Sequence, residues 1–398
     1  MRQRRLEFGF LCIGHTADHL AMLIFPTAVL ALAPVWQRGY DELIALGTVG
    51  FATFALGTYP AGWLADRWSR TGMMKLYFLG LGAALVATGF ARDPLELAIG
   101  LGAIGLFAAI YHPVGIAHLV EITDRSGRAL GINGVFGNMG IAGAAITAGG
   151  LASAFGWQAA FIGPGLVVLL VGVAYLFLAG GEVRGAVVAE EAADTAVAPG
   201  TQRRVFVFLV LSALFSGVVF HGITVVMPAL FAERLSLEDP KAVGAIVSGI
   251  TAVAAFIQIV TGGLMDDRRV KPLLICLTAG QVVFFILIAG ASGVLAAALT
   301  LPLLFLVFGE IPAGDWLVAR YTTRAARARV YAVMYVLSLG VSIAAVPLIA
   351  WFHGTAMGFA GLLLLFAGLV GVVMAAAFLL PGSAFGRRSP APAPAAAE

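Results

Sequence analysis

Charge is scarce in this chain. Of its 398 residues only 11% are Asp, Glu, Lys or Arg, against 61% hydrophobic. A globular domain carries about 25% charged residues, so a water-soluble fold is excluded for most of the length. Cysteine is scarcer still. Cys12 and Cys276 both fall inside apolar runs, without metal-site spacing, and support no disulfide framework. The phosphate-binding pattern G-x-x-x-x-G-K-[ST] is missing, which argues against ATP-driven transport by this chain. G-x-S-x-G and H-E-x-x-H are missing too, and no nucleophile–base constellation replaces them. The chain is therefore not expected to be an enzyme, and no cofactor is implied.

Long apolar runs are what the sequence has in abundance. A helix needs about 20 apolar residues to cross a bilayer. Twelve such runs lie near 8–32, 43–65, 74–91, 95–119, 128–153, 158–180, 204–231, 242–265, 271–291, 295–319, 327–352 and 356–380. Fifty glycines suit close helix packing in lipid. The start, Met1 to Arg5 before an apolar run, has the look of a signal peptide with a cleavage site at Ala31-Leu32-Ala33. The run is too long for that, and His15, Asp18 and His19 interrupt it.

Basic residues set the orientation. With both termini on one side, twenty of the 24 Lys and Arg fall on that side; only Arg38, Arg92, Arg234 and Lys241 fall on the other. The positive-inside rule then predicts cytoplasmic termini in a bacterial inner membrane. The basic excess is a topology signal and implies no nucleic-acid partner.

The chain divides at its longest polar stretch. Residues 1–180 and 204–381 are expected to form two six-helix bundles, joined by a cytoplasmic linker over 181–203. A Pro/Ala-rich tail, 382–398, is expected to be disordered. The halves repeat at an offset near 200. His19 precedes Pro26 by seven residues and His221 precedes Pro228 by seven. Gly62-Trp63-Leu64-Ala65-Asp66-Arg67 matches Gly263-Leu264-Met265-Asp266-Asp267-Arg268, and His112-Pro113-Val114-Gly115 matches Ile311-Pro312-Ala313-Gly314. Six helices per half make the repeat parallel, about an axis along the membrane normal. One chain holding both halves is expected to work as a monomer.

Ionisable groups in hydrocarbon cost several kcal/mol and usually face a cavity. Those near midspan are His15, Asp18 and His19, then His112, His221 and Glu310, on every third helix. That spacing predicts one polar cavity lined by repeat-equivalent helices. Asp18 is the leading proton carrier, with His15 at i−3 and Met22 at i+4 on one helical face; a structural hydrogen bond is its bland alternative. Glu310 is the second carrier. His19, His112, His221, Met22 and Met227 are expected to contact substrate, although a membrane histidine or methionine also serves as a plain hydrogen-bonder or as packing. Thioethers beside imidazoles raise copper as a second substrate. Pro26, Pro113, Pro228 and Pro312 each remove a mid-helix hydrogen bond and predict bends. Asp315 and Arg320 are expected to act as a gate or salt bridge at the cytoplasmic mouth.

Gly62 to Arg70, continuing Trp68-Ser69-Arg70, resembles the G-x-L-A-D-R-x-G-R loop motif of the major facilitator superfamily. His15-Thr16-Ala17-Asp18, His112-Pro113 and Phe136-Gly137-Asn138-Met139-Gly140 are similar to its fosmidomycin-resistance-like branch. The resemblance implies a twelve-helix secondary transporter and a proton-driven exporter of small organic compounds. It implies that Asp66, with Arg67 and Arg70, stabilises the outward-facing state, and that Asp266, Asp267 and Arg268 do so in the second half. The fifth helix reads Gly140-Ile141-Ala142-Gly143-Ala144, without the Gly-Pro pair of antiporters, and the fourth lacks their arginine. Uptake of a small solute or of copper thus stays open beside export. An intramembrane enzyme using Asp18 and the histidines is the alternative from another class.

Overall fold

The computed structural model describes residues 2–123, 126–178, 199–266, 270–322 and 324–381. Most of the expected linker, the tail, Asp267 and Arg268 lie outside the described residues, as do the side chains of Asp266 and Asp315.

Twelve helices are long and apolar enough to cross a membrane. They are Gln3–Trp36, Tyr40–Arg67, Arg70–Thr88, Pro94–Ile122, Ala129–Phe155, Ala159–Leu178, Gly200–Leu235, Pro240–Leu264, Val270–Gly290, Gly293–Val318, Val336–His353 and Gly358–Ala377. They fall where the apolar runs place them, with ends moved by a few residues. In hydrocarbon a backbone must satisfy its own hydrogen bonds, so helix is the form open to such segments. The fourth helix is interrupted by a π-helical turn, Tyr111–Gly115, which contains His112 and Pro113. Pro113 cannot donate, and a π-bulge is a common accommodation at functional positions.

Local turn chemistry repeats between the halves. The first helix ends at Gln37 with φ 53°, and the seventh ends at Ser236 with φ 52°. Each is followed by the same closing bond: Arg38 N–H to Ala33 O at 3.2 Å, and Leu237 N–H to Ala232 O at 3.0 Å. This is the left-handed helix stop, made here without glycine at either copy. Two further helices start on an acid and a proline. Asp93 accepts from Glu96 N–H at 2.8 Å before Pro94, and Asp239 accepts from Lys241 N–H at 3.0 Å before Pro240.

The helices pack as two pseudo-symmetric six-helix bundles. In the first, helix one lies on five, two on four and three on six. In the second, seven lies on eleven, eight on ten and nine on twelve. The bundles meet through five against eight and two against eleven, again a symmetric exchange. Helices five and eight approach so closely that a Cβ at Gly149 would strike the Pro240 carbonyl, and one at Gly244 the Ala145 carbonyl. Only glycine permits that backbone contact. Among the described residues, the hydrogen bonds and ion pairs between the halves sit on the face opposite the termini. Ser153 donates to Asp239 at 2.6 Å, Ile146 N–H donates to Ser248 at 3.0 Å, and His353 lies 3.9 Å from Asp41. On the terminal face Asp66, Trp68 and Arg320 are exposed. The described contacts between the halves thus close the face opposite the termini.

Candidate functional site

The first helix is clamped into its bundle by side chains that bond its backbone. Tyr77 donates to Gly14 O at 2.7 Å and Tyr111 donates to Leu11 O at 2.7 Å. Asn133 donates to the Tyr111 hydroxyl at 2.8 Å. A Cβ at Gly140 would strike the Thr16 carbonyl, so the fifth helix lies directly against the first. At Gly137 a Cβ would come within 2.6 Å of the His15 ring. The glycines thus leave the space that the imidazole fills.

Three histidines gather against this clamp. His15 Nδ1 lies 2.8 Å from the Asn133 carbonyl, an acceptor, so that nitrogen carries the proton. In neutral His15, Nε2 is then an acceptor. His19 Nε2 is 3.2 Å away and supplies the N–H. His112 meets both rings edge-on, each at a centroid separation of 5.4 Å. Nitrogens of His15, His19 and His112 all lie within 4.8 Å of one another. Among the described residues this is the group able to hold a metal ion, and its anchored His15 has the second contact that ligating imidazoles usually make.

Asp18 is fully buried behind the trio. His112 Nε2 is 3.3 Å from its Oδ2, close enough for an ion pair, yet neither oxygen has an aligned hydrogen bond. The expected face of Asp18, His15 and Met22 is thereby rearranged. Asp18 pairs across to the fourth helix, while His15 pairs with His19, one turn along. His221 comes from the second half and lies edge-on to Phe51, at 6.2 Å. Met22 lines a small apolar cavity of about 20 Å³ between the halves, with Phe25, Pro26, Phe51, Val225 and Val346. Met227, expected to contact substrate, is instead 1% exposed in the apolar core.

Glu310 has its described partners in the second half rather than among these histidines. Its carboxylate sits inside the second bundle and accepts from Ser212 at 3.1 Å, Ser216 at 2.8 Å and Gln281 at 2.9 Å. The loop motif forms a third group. Arg70 donates to Glu121 at 3.0 Å and reaches Asp66 at 3.5 Å, while the Arg67 guanidinium stacks 4.1 Å over the Trp63 ring. Glu121, Asn133, Tyr111, Ser212, Ser216 and Gln281 were not singled out from sequence. A polar residue inside an apolar run was the available signal for Asn133 and Gln281.

Comparison with known proteins places this architecture. A family profile described as Major Facilitator Superfamily matches residues 11–312. The chain is 29% identical over 178 residues to the probable 4-methylmuconolactone transporter of Cupriavidus pinatubonensis, covering 42% of each chain, so the match spans less than half of that relative. A bacterial homolog of the human lysosomal transporter Spinster, in an inward-facing occupied conformation, superposes with TM-score 0.73 at 16% identity over 96% of this chain and 95% of its own. A peptide transporter, POT, in complex with sulfate superposes with TM-score 0.71 at 12% identity over 94% and 93%. The chain belongs to the Major Facilitator Superfamily, in keeping with its twelve candidate membrane spans.

Proposed function

We propose that this member of the superfamily is a proton-coupled exporter of a small organic compound, with Asp18 and His112 as the coupling pair. The observation that carries it is the fully buried Asp18, held by one imidazole and facing a group of three. A buried carboxylate with a single titratable partner has two forms, the ion pair and the neutral acid beside neutral imidazole. A solute that bonds His15 and His19 shifts that balance, because it changes the charge the site can tolerate. Export is also what the resemblance of the His15–Asp18, His112-Pro113 and Phe136–Gly140 stretches to the fosmidomycin-resistance-like branch favours. With the termini cytoplasmic in the inner membrane, as the basic residues argue, the face that Ser153, Asp239 and His353 close is the outer one. Solute and proton then exchange as closure alternates between the Gly149–Gly244 face and the Asp66–Arg70 face.

Few fixed cations reach the site, so a neutral, cationic or amphipathic solute fits better than a sugar phosphate. The His15–His19–His112 trio favours a second substrate class, uptake of a soft transition-metal ion as cargo. One experiment separates these. Acidified everted vesicles are screened for proton release by organic solutes and by copper, with Asp18→Asn as control. Release by an organic solute in wild type alone supports proton-coupled export at Asp18. Release that survives Asp18→Asn places the coupling elsewhere. A response only to copper, with accumulation in right-side-out vesicles, replaces export with metal uptake.

A further inference from the structure

Eleven residues before Asp18, about 16 Å along the same helix, a second buried acid meets a second histidine. Glu7 is fully buried and His118 is 2% exposed. Glu7 Oε2 lies 3.5 Å from His118 Nε2 and accepts from the Tyr175 hydroxyl at 3.0 Å. Glu7 Oε1 and both His118 nitrogens have no aligned hydrogen bond. The other nitrogen, Nδ1, faces Glu121 at 3.8 Å. Glu121 in turn accepts from Arg70 at 3.0 Å, and Arg70 reaches Asp66. Helices one and four thus carry two acid–imidazole pairs, Asp18–His112 and Glu7–His118. The inner pair ends on the charges of the loop motif.

We propose that Glu7 and His118 form a second proton-binding site, and that its occupancy decides whether Glu121 holds Arg70. The described titratable or charged groups around it are Tyr175 from helix six, Glu121 beside His118 on helix four, Arg70 from helix three, and Arg4 on helix one, which has contacts of its own. Among the described residues Glu7 has no arginine or lysine contact, and His118 is the group beside it able to offset its charge. When His118 takes a proton from water, its Nδ1–H points at Glu121 and competes with Arg70 for that carboxylate. When the proton returns to water, Glu121 reverts to Arg70. In the present form, closed on the face opposite the termini, Arg70 holds Glu121 at 3.0 Å while His118 lies farther off at 3.8 Å. Acid therefore disfavours this form.

The inference rests on alternating access but not on Asp18 as coupling residue, so it is tested in an Asp18→Asn background. Full-length protein in nanodiscs carries spin labels on the terminal-face ends of helices two and eleven, and the parted population is measured against pH without solute. The parted form is expected to grow as pH rises. Glu7→Gln removes the anion that favours imidazolium, so the midpoint should fall by about one pH unit, tenfold in proton concentration. His118→Asn removes the group facing Glu121 and should flatten the titration. An unchanged midpoint and amplitude in either folded variant overturns the proposal. So does a parent that shows no titration, which leaves the transport proposal untouched. If Glu7→Gln does not yield folded protein, His118→Asn decides alone.

Discussion

Asp18 and Glu310 are both buried acids deep in a six-helix bundle, one in each half, and they are held in opposite ways. Asp18 faces a single imidazole at 3.3 Å with no aligned hydrogen bond. Glu310 accepts from two serines and a glutamine, all neutral and all in hydrogen-bond geometry. Neutral donors stabilise a carboxylate without changing charge themselves. An imidazole can take the proton that the acid releases. The comparison teaches that two buried acids, one in each half, are held by different kinds of group: a titratable imidazole beside Asp18 and neutral donors around Glu310.

The largest expected effect follows from that contrast. Asp18→Asn should lower proton-driven transport on the order of a hundredfold, the usual worth of a positioned proton donor. Glu310→Gln keeps the size and one acceptor of the group, and should cost no more than roughly fivefold, about one neutral hydrogen bond. Proton-driven uptake or release in vesicles measures both. Equal losses would erase the distinction between the two acids, and a reversed order would exchange their roles.

Stability should sort the same two residues the other way. Glu310→Ala strands the buried Gln281 donor, which costs about 1–3 kcal/mol, and takes the acceptor from the half-buried Ser212 and Ser216. Asp18→Ala removes an acid that contributes no aligned bond, so its melting temperature in detergent should stay closer to wild type. A thermal scan of the two purified variants checks the order. A larger drop for Asp18→Ala would mean that its ion pair with His112 stabilises the bundle.

Between these local effects lies the contact that joins the halves. Gly149→Val places side-chain carbon against the Pro240 carbonyl, and overpacking of this kind costs about 1–3 kcal/mol. Here the strain is relieved when the opposite face opens. The population closed on that face should fall about tenfold or more, since 1.4 kcal/mol is tenfold in an equilibrium. Gly150→Val, one residue along with open space at its Cβ, should change little. Spin-label distances between helices five and eight report both.

How much of this was legible in the sequence differs between the scaffold and the sites. The twelve crossings follow from apolar length, and the repeat was visible in His19–Pro26 against His221–Pro228. The alignment of Gln37 with Ser236 was not, because neither residue is a glycine and nothing local marks the left-handed stop. At the sites, one-dimensional spacing put His15 with Asp18, because i−3 shares a face. Which histidine meets an acid depends instead on how the fourth helix is set by its π-turn at Pro113, which spacing along the first helix does not record. Glu310 was drawn to the histidines by its depth, yet its partners are serines one turn apart in helix seven and Gln281 in helix nine. Glu7 was not singled out, since its burial comes from helices four and six folding over it.

The smallest expected effect concerns the seal on the opposite face and sets a limit on where pH sensing resides. Asp239 joins the halves through Ser153, whose hydroxyl bond, with the Lys241 N–H, holds the Asp239 carboxyl below its usual range. A lowered carboxyl stabilises its contact above its ordinary value and loses that stabilisation as pH falls through the lowered one. The seal should therefore be indifferent to pH from neutrality down to about 4, the ordinary aspartate value, and loosen only below it. Asp239→Asn keeps the helix start and should change the closed population less than about twofold, with the rest screened by salt. Labels across Ser153 and Asp239, followed from pH 7 to 3, measure this. Loosening between pH 5 and 7 that disappears in Asp239→Asn would move the pH-sensitive element from the acid–imidazole pairs of the first half to the junction between the halves.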